Sequence, residues 1–193
     1  MLELTYEVKT DFKKAQEMLE KNGYELRSYS TMEDCYFSRF DDEELRTLTF
    51  ETIMNNSILL RQMCDEHLVN YLCFKSKSYD ENGNVINEEK IQTTVAQYDV
   101  ACDVLKRAGL NNFAGYLTHL YVYEKGEDCF ALQQIDGLGL FIEYEEDNRH
   151  EGLSLKEKEE ALKEGIFATG LQFGDDPYIK KVKMYLDKKF DRI

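Results

Sequence analysis

The chain is poor in the residues that break a fold. Its 193 residues include one proline and eleven glycines. No Pro/Gly-rich stretch interrupts the pattern, so no linker is expected and residues 1–193 read as one domain. No apolar run approaches the ~20 residues of a membrane helix. The three histidines, His67, His119 and His150, are too scattered for a histidine metal site. The five cysteines, Cys35, Cys64, Cys73, Cys102 and Cys129, form no Cys-x-x-Cys pair. Their odd number and mostly apolar surroundings point to reduced thiols and a cytoplasmic chain. Nor is there a signal-peptide pattern, since Met1-Leu2-Glu3 runs straight into a strand pattern. Positive charge is scarce as well, with 24 Lys and Arg against 38 Asp and Glu, a net charge of −14. That excludes a non-specific nucleic-acid binder and a binder of anionic membranes. A phosphate site here must cluster its Lys and Arg locally or hold a cation that inverts the field.

What is present is apolar and aromatic mass. Hydrophobic residues make up 42% and aromatics 12%, enough for a proper core in a domain of this length. The stretch that organises the rest is Gly137–Glu145. It reads as a strand with Leu138, Leu140, Ile142 and Tyr144 on one face and Phe141, Glu143 and Glu145 on the other. Two residues of strand rise put the Glu143 and Glu145 carboxylates roughly 7 Å apart, close enough to share a divalent cation. A solvated strand face is the competing reading.

Read in order, residues 2–9 alternate, with Leu2, Leu4, Tyr6 and Val8 against Glu3, Thr5, Glu7 and Lys9. Asp11 is expected to cap a helix that ends at Gly23. Tyr24–Ser30 and Glu33–Arg39 read as two strands, and the acidic run Asp41–Glu44 opens a short helix or loop to about Asn56. Strands are expected at Ser57–Met63, His67–Lys77 and Val85–Val95, with an Asn82-Gly83 turn between the last two. Asp99 is expected to cap a second helix, ended by Gly109. Strands Phe113–Glu124, Asp128–Gln134 and Leu138–Glu145 follow. In the C-terminal helical part, 154–190, Ser154 and Glu157 suggest a capping box and Pro177 a helix start. Gln16–Tyr24 and Cys102–Leu110 form a weak internal repeat, which either duplication or coincidence explains.

Eight or nine strands with few helices imply an antiparallel α+β fold, a β-barrel or tunnel over residues 2–145 or two packed sheets, with helices packed outside. If helices cover the apolar faces, the charged faces look inward onto a polar lumen.

The order of motifs resembles that of the CYTH superfamily, the triphosphate tunnel metalloenzymes, which include class IV adenylate cyclases, thiamine triphosphatases and inorganic triphosphatases. Four places carry the resemblance. Glu3–Lys9 stands where the family has Glu-x-Glu-x-Lys. Asp34-Cys35-Tyr36-Phe37 is similar to its Asp-x-Tyr-Phe. Ile58–Arg61 and Leu72–Lys75 are similar to its Leu-Arg-x-Arg strand and the following strand ending in Lys. Asp136 and Gly139–Glu145 are similar to the closing Asp…Gly-x-Phe-x-Glu-x-Glu, the most specific of the four.

The resemblance implies a site for Mg²⁺ or Mn²⁺ on Glu143, Glu145, Glu7 and Glu3, and phosphate contacts from Arg61, Lys75, Lys77, Lys9 and Lys90. It implies a triphosphate-bearing small molecule or other anion as partner, and metal-dependent phosphohydrolase or adenylate-cyclase-like chemistry in a polar tunnel. Hydrolysis is favoured over cyclisation because nothing suggests a purine pocket. The chain also departs from the pattern. The first motif fits as Glu3/Thr5/Glu7, with a Glu replaced by Thr and the Lys by Glu, or as Thr5/Glu7/Lys9, with only the first Glu replaced. Leu59 replaces an Arg, Gln92 and Thr94 stand where a Glu-x-Glu usually lies, and residues 118–123 offer His119 rather than Lys-x-Arg. These departures imply the alternative, a catalytically degenerate tunnel that binds an anion or a protein partner without turnover.

Overall fold

A computed structural model describes residues 2–79 and 85–192; for 77–79 and 85–88 it describes the backbone alone. The described residues form eight strands and six α-helices: β1 (Glu3–Glu7), α1 (Phe12–Lys21), β2 (Glu25–Ser38), α2 (Asp42–Thr47), α3 (Phe50–Asn55), β3 (Ser57–Cys64), β4 (Leu68–Tyr79), β5 (Val85–Val95), α4 (Tyr98–Arg107), β6 (Asn111–Lys125), β7 (Asp128–Ile135), β8 (Gly139–Glu145), α5 (Leu155–Ala168) and α6 (Lys181–Lys189). The strand order is β1-β8-β7-β6-β2-β3-β4-β5, and the pairings β1·β8, β8·β7, β7·β6, β2·β3, β3·β4 and β4·β5 are antiparallel. The α+β fold with helices packed on the sheet is therefore as expected. Among the described residues, no hydrogen-bonded ladder closes the sheet into a barrel.

The chain divides into two compact units, residues 1–30 with 118–184, and residues 31–117 with 185–193. In the first, α1 and α5 cover the face of the sheet bearing Leu4, Tyr6, Leu140, Ile142 and Tyr144. Leu19 of α1 and Leu162 and Ile166 of α5 complete that core. The opposite face of β1 and β8 carries Glu3, Thr5, Glu7, Phe141, Glu143 and Glu145. In the second unit, Leu105 of α4 packs on Phe37 and Leu60, with Ile58, Leu72 and Val95 around them. The other face of β2 and β3 sets Asp34 opposite Arg61 and Tyr36 opposite Leu59.

Each unit holds one copy of the weak repeat, and the two helix ends match bond for bond. Gly23 and Gly109 take φ of +82° and +84°. Tyr24 N donates to Leu19 O at 3.0 Å, as Leu110 N does to Leu105 O at 3.1 Å. These are helix ends closed by a left-handed glycine.

Several expected boundaries move. Tyr24–Ser30 and Glu33–Arg39 are not two strands but one continuous β2, because Thr31 and Met32 between them stay paired with Cys64 and Met63 of β3. Asp99 does not cap α4; the helix starts one residue earlier, with Gln97 at the cap position and no side-chain cap bond. Pro177 does not start a helix. It lies in an extended segment whose carbonyl accepts from Thr5 N, and α6 begins only at Lys181. Asp11 and the Ser154/Glu157 box cap α1 and α5 as expected. The Asn82-Gly83 turn lies outside the described residues.

Candidate functional site

In the first unit the closing strand and the first strand run side by side. The register sets Glu3 opposite Glu145 and Thr5 opposite Glu143. Strand alternation then puts all four side chains on the face opposite the one that α1 and α5 cover. Ligand oxygens of Glu3, Glu143 and Glu145 lie within 4.8 Å of one another. The Thr5 hydroxyl donates to Glu3 Oε1 at 3.2 Å. Three carboxylates this close repel one another unless a cation sits among them, and an all-oxygen donor set suits Mg²⁺ or Mn²⁺. Glu7 stands on the same face, opposite Phe141, but its Oε2 pairs with Lys9 Nζ at 2.6 Å.

A cation does reach this group. The Nζ of Lys181, the first residue of α6, forms an ion pair with Glu143 Oε2 and donates to Gln133 Oε1 at 2.6 Å. Lys181 and Glu143 side chains are each 17% exposed, and Gln133 is 2% exposed. Residues 172–179 hold Lys181 there by lying along the outer edge of β1. Lys9 N donates to Gln172 O, Gly174 N to Glu7 O, and Thr5 N to Pro177 O, at 2.8 to 2.9 Å, and Ile179 N donates to Thr5 O at 3.3 Å. The last bond sits on the residue facing Glu143, two positions before Lys181.

The remaining basic candidates lie in the second unit. Arg61 Nε and Nη2 donate to Asp34 Oδ1 and Oδ2 at 2.6 and 2.7 Å, a fork-on-fork pair. Asp34 is 1% exposed. Burial works against the Arg61 charge, but the Asp34 hydrogen bonds outweigh it and the guanidinium pKa is raised. Tyr36 and Tyr116 flank the pair, and burial pushes both phenols up. Lys75 and Lys90 are directly opposed across β4 and β5, next to Cys73 opposite Gln92 and Tyr71 opposite Thr94. Like charges in that position repel. Lys77 stands in β4 opposite Glu88, and its side chain lies outside the described residues.

The chain is 24% identical over 183 residues to a protein of Methanocaldococcus jannaschii named "Putative adenylate cyclase", covering 94% of this chain and 95% of that one. It shares its fold with the PH1819 protein of Pyrococcus horikoshii, with a TM-score of 0.64 at 17% identity over 97% of this chain and 99% of that one. It also matches a Hippeastrum protein described as a "putative adenylyl cyclase" with a dominant triphosphatase activity, with a TM-score of 0.58 at 13% identity over 96% and 95% of the two chains. The chain shares its fold with these solved proteins over nearly its whole length. No family model matches it.

Of the four carboxylates expected at a CYTH metal site, the structure brings Glu3, Glu143 and Glu145 together and engages Glu7 with Lys9. Of the five expected phosphate contacts, Lys9 alone shares their unit. Sequence reasoning missed Lys181 and Gln133. The Pro177 reading hid Lys181 by starting the helix four residues before the position where α6 begins.

Proposed function

We propose that this CYTH-fold protein is a divalent-cation-dependent phosphohydrolase acting on a triphosphate-bearing small molecule. The observation that carries the reading is the convergence of Glu3, Glu143 and Glu145 on one face of β1 and β8. Mg²⁺ or Mn²⁺ bound there would draw charge off the phosphoryl oxygens and so favour attack by water. The chain's own part is positional. The trio supplies oxygen ligands, Gln133 orients Lys181, and Lys9 and Lys181 supply positive charge in the same unit. The full-length likeness to an adenylate-cyclase relative and to a protein with triphosphatase activity supports chemistry on a triphosphate.

A second reading, anion binding without turnover, is favoured by a different observation. In the carboxylates' own unit Lys181 is engaged with Glu143 and Lys9 with Glu7, and in the second unit Arg61 is engaged with buried Asp34. Phosphate release from tripolyphosphate and from ATP, assayed in Mg²⁺ and in Mn²⁺, separates the two. Metal-dependent release that Glu143→Gln lowers by a factor of about a hundred or more, the scale of one lost electrostatic contact to a transition state, supports hydrolysis. Tripolyphosphate binding without release leaves the second reading in place.

A further inference from the structure

We propose that Lys181 is a built-in counter-cation of the carboxylate trio, so that a divalent cation binds in competition with its ammonium group. The inference rests on the reading of Glu3, Glu143 and Glu145 as a metal site, and adds how that site is regulated. Three observations carry it. First, Lys181 pairs with the least exposed member of the trio, Glu143, and is held by Gln133, which is itself buried. Second, the position is imposed by the backbone. The ladder of residues 172–179 along β1 ends in the Ile179–Thr5 bond, and Thr5 faces Glu143. Third, the first turn of α6 has no acidic residue and begins with this lysine. A cation there is disfavoured by the helix dipole, so the carboxylates must hold it in place.

The consequence is electrostatic. A bound ammonium offsets the mutual repulsion of the trio when no metal is present, and it lowers the attraction the trio offers to a divalent cation. Metal binding then has to break the Lys181–Glu143 pair. The same pair ties α6 to β8, so metal occupancy is coupled to how firmly the start of α6 is held.

The test is the affinity for Mn²⁺, measured by titration calorimetry and by the loss of the free-ion paramagnetic resonance signal. Lys181→Met keeps the stem and removes the charge; it is expected to bind Mn²⁺ tighter by about tenfold or more, the low end of what a unit charge at this distance contributes. Lys181→Arg is expected to stay near wild type. Unchanged or weaker binding by a folded Lys181→Met would overturn the proposal. A second measurement needs no charge-removing variant: the Lys181 side-chain Cε resonance in the wild type, assigned from its absence in Lys181→Arg, is expected to shift as Mg²⁺ saturates the protein. A resonance that stays put at saturation contradicts displacement. Binding that Glu143→Gln abolishes but Lys181→Met leaves unchanged removes this proposal alone. No binding in either wild type or Lys181→Met removes the metal site, and the proposal with it.

Discussion

Asp34 and Arg61 act as one unit at the residue scale. Removing the guanidinium strands a carboxylate that is 1% exposed, so Arg61→Met is expected to destabilise the protein by roughly 3–5 kcal/mol in urea unfolding. The double variant Asp34→Leu/Arg61→Met removes both charges and is expected to recover most of that loss. Additive losses in the cycle would show that the pair is not coupled. The two residues were each legible in the sequence, as parts of separate motifs. Their pairing was not, because it depends on the β2–β3 register that sets residue 34 against 61. A second residue-scale prediction concerns acid. Hydrogen bonds from Arg149 hold the Asp147 carboxyl down to about 2, below its ordinary value. A depressed carboxyl adds stability that is present above the ordinary carboxylate range and is lost as pH falls toward 2. Arg149→Met is therefore expected to move the Asp147 midpoint up, read by carboxyl carbon resonances. An unmoved midpoint would assign the shift to the backbone instead.

Elements were read well where the signal is local and poorly where it is not. Alternation located all eight strands, and Asp11, Ser154 with Glu157, Gly23 and Gly109 marked helix ends as their chemistry requires. Pro177 misled because proline suits an extended edge segment as well as a first helical turn. The deciding partner, the free edge of β1, lies more than 170 positions earlier in the chain. Gly165 shows packing overriding propensity. Alanine there is the better helix former by about 1 kcal/mol. Yet a Cβ would collide with Tyr144 Cε1, on a ring whose hydroxyl donates to Asp128 at 2.7 Å and accepts from Arg149 at 3.0 Å. Gly165→Ala is thus expected to destabilise by about 1–3 kcal/mol, and a rise in Tm would mean that α5 can slide off β8 at little cost. Gly109→Ala, with open space around it and φ of +84°, is expected to lose about 1–2 kcal/mol through backbone strain alone.

On the scale of the whole chain, the order of motifs located the fold even though single motifs are broken, because strand order and face polarity survive the loss of individual charges. The candidate metal residues were legible for the same reason. Glu143 and Glu145 share a face by alternation, and Glu3 joins them once β1 pairs with β8. Lys181 was not, since its place depends on a ladder between the two ends of the chain. In the described residues no helix is long and apolar enough to cross a membrane. The net charge of −14 makes metal dependence the sharpest expectation for any triphosphate ligand. Calorimetric titration of tripolyphosphate into the protein, with and without Mg²⁺, tests this most directly. The account predicts micromolar binding, about −8 kcal/mol, that appears only with the cation and is lost in Glu143→Gln. Equal binding in the absence of Mg²⁺, or none in either condition, would contradict it.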